Sequence, residues 1–192
     1  MSKYRETYIN LYHGTTSDAA KQIVSSQRFV ESSDSSWCGA GTYFYDNKAK
    51  ALWAANRKCE EIHAKTGIKC RYTYVNVDII DLDRAFILDL RSYKDLAAFA
   101  EFVDQILAES DFDIDGDLDT NEKLIWKRAL LISLYAQEQN KKLVIGHFRQ
   151  IANPMFVDVQ ASADKLQLVV GVETIYCVKD GSIISNIRGA QL

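Results

Sequence analysis

Proline is almost missing from this chain: Pro154 is the only one in 192 residues. There is no Pro-rich or Gly/Ser-rich stretch either, so no linker is visible and the chain reads as a single domain over 1–192. No apolar run approaches the roughly 18 residues that a bilayer-crossing helix needs, and no membrane partner is expected. An excess of positive charge is also lacking. Lys and Arg number 23 against 26 Asp and Glu, a net charge of −3. That excludes a generic nucleic-acid coat, whose affinity comes mostly from phosphate neutralisation. Local basic groups (Arg57-Lys58, Lys69 to Arg71, Lys127-Arg128, Lys141-Lys142) leave a nucleic-acid substrate open. Cys38, Cys59, Cys70 and Cys177 show no C-x-x-C spacing, and the polar first ten residues do not resemble a signal peptide. Four free thiols in a reducing cytoplasm are expected.

What is present is the balance of an ordinary globular protein, 47% hydrophobic and 26% charged. Tyr8 to Tyr12 reads as a short strand ending at His13-Gly14. Ser17 is placed to cap a helix over Asp18 to Ser26. Gly41 to Tyr45 reads as a short aromatic strand, and Lys48 to Lys65 as a helix with Leu52, Ala55, Cys59 and Ile62 at helical spacing. Arg71 to Ile80 alternates as a strand does, with Tyr72 and Tyr74 on one face and Val75, Val77 and Ile79 on the other. Ala85 to Leu90 extends the sheet. Tyr93 to Glu109 is an amphipathic helix with Leu96, Phe99, Val103 and Ile106 in one stripe. A largely buried helix follows over about Lys123 to Gln139, with Leu124, Ile125, Leu130, Leu131 and Leu134 apolar on several sides. Leu143 to Phe148, Pro154 to Val159, Leu166 to Val170 and Thr174 to Val178 are strand-like, and Asp180-Gly181 signals a hairpin. Strands at both ends with helices between them predict an α+β domain with mixed or antiparallel sheets.

Three places carry chemistry. In Leu11-Tyr12-His13-Gly14-Thr15-Thr16, a side-chain hydrogen-bonder stands beside a glycine that lets a ligand approach the main chain. In Gly39-Ala40-Gly41-Thr42-Tyr43-Phe44-Tyr45-Asp46, two glycines lead into a flat aromatic wall suited to a flat ring. In Gly171-Val172-Glu173-Thr174-Ile175-Tyr176, a carboxylate sits in an otherwise largely apolar run, where an unused charge is costly. Each has a plain structural reading too: a turn histidine, a glycine turn into a core strand, an edge-strand glutamate facing water.

The ordered set resembles the ADP-ribosyltransferase superfamily, in its diphtheria-toxin-like and poly(ADP-ribose) polymerase-like branch with a His-Tyr-Glu triad. The resemblance spans nearly the whole chain at low density. It implies two packed mixed or antiparallel sheets with flanking helices and a helical insertion at about 93–140. It implies NAD as substrate. His13 would bond the adenosine ribose, the Gly14 backbone would hold the nicotinamide carboxamide, and Tyr43 would stack on the nicotinamide ring. Trp53 could form the opposite wall, or be an ordinary helix tryptophan. Thr15, Gly41 and Tyr45 would line the same site. Glu173 would bond the nicotinamide ribose and oppose the oxocarbenium-like charge of the transition state. Two departures narrow the family reading. Gly171 stands where the arginine-modifying branch carries Gln or Glu, and Lys50 or Ala51 stands where the polymerase-like branch often has a serine.

Between the two central helices, Asp111, Asp113, Asp115, Asp119 and Glu122 stand at the side-chain ligand positions of an EF-hand loop, with Gly116 at its sixth position and Asp117 beside it. The loop reads either as a calcium site or as a solvated acidic linker.

The expected function is transfer of one ADP-ribose unit from NAD to a macromolecule, protein or nucleic acid. The resemblance and the small size suggest a toxin or phage-defence protein held by an antitoxin partner. An NAD glycohydrolase and a non-enzymatic calcium-binding interaction module are the competing readings.

Overall fold

The computed structural model describes residues 5–6, 10–32, 37–80, 82–109, 121–149 and 172–190, without the side chains of 5, 6, 121–124, 149 and 172. Within them the chain is mixed α+β. Strand β1 is Arg5–Glu6 and β2 is Leu11–Thr16; helix α1 is Ser17–Ser26 and β3 is Thr42–Phe44. Helix α2 is Lys48–Thr66, followed by β4 (Tyr72–Ile79), β5 (Leu82–Asp83) and β6 (Ile87–Asp89). Helices α3 (Tyr93–Glu109) and α4 (Asn121–Glu138) come next, then β7 (Leu143–Arg149), β8 (Val172–Val178) and β9 (Ile184–Gly189). The expected strands at 154–159 and 166–170 lie outside the described residues, as do Asp111, Asp113, Asp115, Asp117 and Asp119. Glu122 falls in the first turn of α4, and its side chain is not described.

The strands form an antiparallel sheet in the order β2-β4-β9 and a mixed sheet in the order β3-β8-β7-β6, with β6 and β7 parallel. A small pair, β1-β5, stands apart from them. Period-two alternation divides the core. Leu143, Ile145, Tyr176 and Val178 point toward the three-stranded sheet and meet Leu11, Val75, Val77, Ile79 and Phe44. Val144, Phe148, Ile175 and Cys177 point the other way, against Phe102, Ile132 and Tyr135 of α3 and α4. The four-stranded sheet is thus covered on one face by the other sheet and on the other by the helix pair. Helix α1 buries Ala20 and Ile23 in the first cluster, and α2 lies on the outer face of β2 and β4.

Several expectations shift. The cap of α1 is Thr16, not Ser17: its Oγ1 accepts from the Ala19 N–H at 3.3 Å. The strand does not end at His13-Gly14 but runs through them to Thr16, because α2 packs against it there. A Cβ on Gly14 would stand 1.8 Å from the Ala51 carbonyl oxygen, so glycine is what lets the helix lie on the strand. Asp180-Gly181 does not make a hairpin. It opens a single turn of 3-10 helix that carries the chain from β8 in one sheet to β9 in the other. The Asp180 carboxylate caps that turn on the Ser182 N–H and is held by Lys142 at 2.8 Å, which favours a sheet-to-sheet crossing over a tight two-strand reversal. In α3 the deepest residue is Phe102, while Leu96 is 48% exposed. In α4, Leu131 and Ile132 are buried and Leu134 is 40% exposed. Finally, only Cys38 and Cys177 are free; Cys59 and Cys70 form a disulfide with Cα atoms 5.7 Å apart. Helix α2 ends at the αL glycine Gly67 and the chain doubles back toward β4, which brings these two cysteines together although their spacing of 11 residues gave no sign of it.

Candidate active site

Among the described residues the two large sheets meet edge to edge at a single rung. The Tyr12 N–H donates to the Tyr45 carbonyl at 2.8 Å, and the Tyr45 N–H to the Tyr12 carbonyl at 2.9 Å. One rung further, an antiparallel ladder would set Gly14 opposite Tyr43. The ladder does not continue. The His13 ring takes that place, and its Nδ1–H donates to the Tyr43 carbonyl at 2.8 Å. Backbone groups of a strand alternate between its two edges. Since Tyr12 points away from β4, the N–H and C=O of Gly14 point the same way, to the edge that β3 has left. They have no partner among the described residues. A splayed pair of strands thus leaves one donor and one acceptor of the same residue unpaired on one edge, the complement of a carboxamide.

His13 packs edge-on against Phe29 (centroids 5.2 Å) and Phe44 (5.8 Å). Burial is the main cause that lowers its pKa to about 4, with Lys58 adding to the shift and the Tyr43 carbonyl opposing it. The ring is neutral at pH 7, and Nε2 is left as an acceptor with no partner among the described residues. Phe29 also lines a hollow of about 380 Å³ with Arg28, Gln27 and Ile187.

Glu173 lies on the helix-facing side of β8 with Ile175 and Cys177, and Tyr43 pairs with Cys177 across β3 and β8. Tyr43, Tyr45 and Glu173 therefore share one face. Glu173 is half-buried, and its carboxylate has neither ion pair nor hydrogen bond among the described residues. Its charge helps raise the Tyr45 phenol to about 12, after burial as the larger cause. The Tyr43 hydroxyl donates to the Gly39 carbonyl at 2.6 Å and accepts from the Cys38 N–H at 2.8 Å. Burial drives its pKa upward.

The structure thus joins His13 to Tyr43 through a backbone carbonyl and brings Tyr45 near Glu173. It does not put all three triad side chains on one face: His13 stands with Phe44 on the inner side, and Tyr43 with Glu173 on the helix side. Thr15 is 1% exposed and faces the core, away from the open edge. Gly41 has φ +152°, and a Cβ there would meet Cys177 Sγ at 2.6 Å, so it serves the close approach to β8. Trp53 is 45% exposed, on the side of α2 away from the buried Ala51, Ala55 and Cys59, and has no ring contact with Tyr43 among the described residues.

Two groups escaped the sequence reading. Lys179 reaches back under the glycine loop and donates to the carbonyls of Cys38 (2.5 Å) and Ala40 (2.6 Å). Arg128 of α4 lies against the rings of Trp37 (5.1 Å) and Phe148 (4.8 Å). A lone tryptophan in a serine-rich loop and an arginine inside a mostly apolar helix were the available signals. Among the described residues no group of three His, Cys, Asp or Glu could hold a metal ion, and no helix is long and apolar enough to cross a membrane.

No protein-family model matches this sequence, and neither a curated protein nor a solved structure shows significant similarity to it.

Proposed function

We propose that the chain has an ADP-ribosyltransferase-like fold and transfers ADP-ribose from NAD to a macromolecular acceptor. The observation that carries the reading is the splay at Tyr12 and Tyr45. It offers the Gly14 N–H and C=O to a ligand carboxamide, with His13 holding the strands apart and Glu173 on the neighbouring sheet. The order of these groups along the chain is that of the family it resembles.

In this reading the carboxamide of nicotinamide pairs with Gly14 and a ribose hydroxyl donates to His13 Nε2. The hollow beside Phe29 gives room for the adenine. The bond from ribose C1′ to the nicotinamide nitrogen breaks, and its electron pair leaves with neutral nicotinamide. Positive charge builds on C1′ and the ring oxygen, where the fixed Glu173 carboxylate opposes it. The acceptor nucleophile attacks the opposite face of C1′ and loses its proton. The resemblance favours single-unit transfer by a toxin-like protein, with an antitoxin as its partner in the producing cell.

The test is incubation with adenine-labelled NAD and whole lysate, followed by protease and nuclease digestion. Nicotinamide release with label on protease- or nuclease-sensitive material is expected. Release without transferred label makes the protein an NAD glycohydrolase. No release with any lysate overturns the enzymatic reading and favours a binding module.

A further inference from the structure

We propose that Arg128 is an anchor for a diphosphate, in the NAD reading the one that joins the two ribosides of the dinucleotide. The guanidinium lies between α4 and the helix-facing side of the four-stranded sheet. Trp37 and Phe148, whose ring centroids are 5.6 Å apart, supply faces on which it rests. Its Nε and Nη2 are buried and carry no hydrogen bond among the described residues. No ion pair of the described residues involves it. A guanidinium stays charged at neutral pH, and a buried charge without a counter-ion is costly. Stacking on two rings offsets only part of that cost. A site of this kind is stable when an anion completes it, and a planar fork with two free N–H groups on one side matches a phosphate oxygen pair.

The place fits the reading of the site. Phe148 is the direct cross-strand neighbour of Glu173 in β7 and β8, on the same face. Its ring lies back along β7 over Gly146, where a Cβ would come within 2.6 Å of it. Trp37 leads directly into Cys38 and Gly39, the residues clamped by the Tyr43 hydroxyl. Arg128 is thus fixed beside the glycine loop and one residue across from the carboxylate, on the side where Tyr43 and Tyr45 stand. A dinucleotide whose nicotinamide end meets Gly14 and Glu173 carries a diphosphate that a cation stabilises, and among the described residues no other cation is both buried and unpaired.

The experiment titrates wild type, Arg128→Met and Arg128→Lys with NAD, ADP, adenosine and inorganic pyrophosphate, and melts each protein. Methionine keeps the stacked stem and removes the charge. Arg128→Met is expected to bind NAD, ADP and pyrophosphate at least about tenfold more weakly, to bind adenosine as before, and to melt no lower than wild type, because an unpaired buried charge has gone. Arg128→Lys keeps a point charge without the fork and should lose affinity severalfold for the same three ligands. Wild-type affinity for ADP and pyrophosphate in either folded variant overturns the anchor and leaves the NAD reading standing. A large drop in melting temperature of Arg128→Met with unchanged ADP affinity in Arg128→Lys also overturns it, and makes Arg128 a packing residue. Pyrophosphate binding that depends on Arg128, with no binding of NAD, upholds the anion site and overturns the NAD reading. No binding of NAD, ADP or pyrophosphate by wild type overturns both.

Discussion

His13 shows how one side chain can hold two strands apart and still present an acceptor. Its neutral form is the one the fold accommodates, since burial outweighs the hydrogen bond to Tyr43. The folded pKa of about 4 lies below the unfolded value near 6.5, so the folded state binds fewer protons in that window. The stability this contributes is present above about pH 6.5 and is lost as pH falls toward 4, at up to about 1.4 kcal/mol per pH unit. Melting temperature should therefore fall more steeply between pH 6.5 and 4.5 in wild type than in His13→Asn, which keeps a donor for the Tyr43 carbonyl and does not titrate. Parallel slopes would show that His13 is not the group responsible. In the proposed function Glu173 has the opposite character, a carboxylate used for its charge. Glu173→Gln keeps shape and loses charge, so nicotinamide release should drop about 100-fold or more while NAD binds within a factor of two. Near-normal turnover would remove Glu173 from the mechanism.

At the scale of elements, two of the contacts that hold α2 to the sheet can be tested singly. The first is Gly14, where strand backbone and helix backbone touch. Gly14→Ala sets a methyl 1.8 Å from the Ala51 carbonyl oxygen, so α2 must lift from β2. A loss of about 3 kcal/mol in urea unfolding is expected, as for other overpacked sites. A variant as stable as wild type would mean that the helix docks with slack. The second is the Cys59–Cys70 bridge between the last turns of α2 and the approach to β4. Thiol titration of the denatured, unreduced protein should count two groups, against four after reduction. Cys70→Ser should cost about 2–3 kcal/mol, the usual effect of opening a loop of this length. Four thiols without reduction would restore the expectation of free cysteines.

At the scale of the whole molecule, the two large sheets are joined, among the described residues, edge to edge at one rung and face to face by the apolar cluster around Phe44, Val75 and Ile145. In the proposed function a dinucleotide spans that junction and ties one sheet to the other. Such a ligand stabilises the folded state by about 2.7 kcal/mol at roughly a hundred times its dissociation constant. NAD should raise the melting temperature of wild type and of Glu173→Gln alike, since the glutamine variant retains the binding groups. A shift in neither would contradict binding across the junction. The acidic segment 111–122 sits between α3 and α4, far along the chain from the triad. Melts in calcium and in chelator distinguish its two readings, and in the proposed function nicotinamide release persists in chelator, because there a carboxylate opposes the developing charge.

What the sequence determined by itself is whatever a local pattern encodes. The bounds of α3 at Tyr93 and Glu109 follow from a 3.6-residue period, and the two faces of β4 from alternation of Tyr72 and Tyr74 with Val75, Val77 and Ile79. A helix capped by Asn47 and closed by Gly67 is equally local. The three segments were legible only as candidates, because His-Gly, a glycine-aromatic run and an isolated carboxylate each also have a plain structural reading. Tertiary structure alone decided the rest. That His13 and Gly14 lie inside a strand depends on α2 pressing on it. That β9 joins β4 and not β8 depends on closing a sheet across more than a hundred residues. The Cys59–Cys70 bridge depends on where a chain reversal brings two backbones. The orphaned guanidinium of Arg128 depends on two aromatic rings that arrive from a loop and a strand distant in sequence. A local pattern says which face of an element must be buried, and only the packing of all the elements says against what.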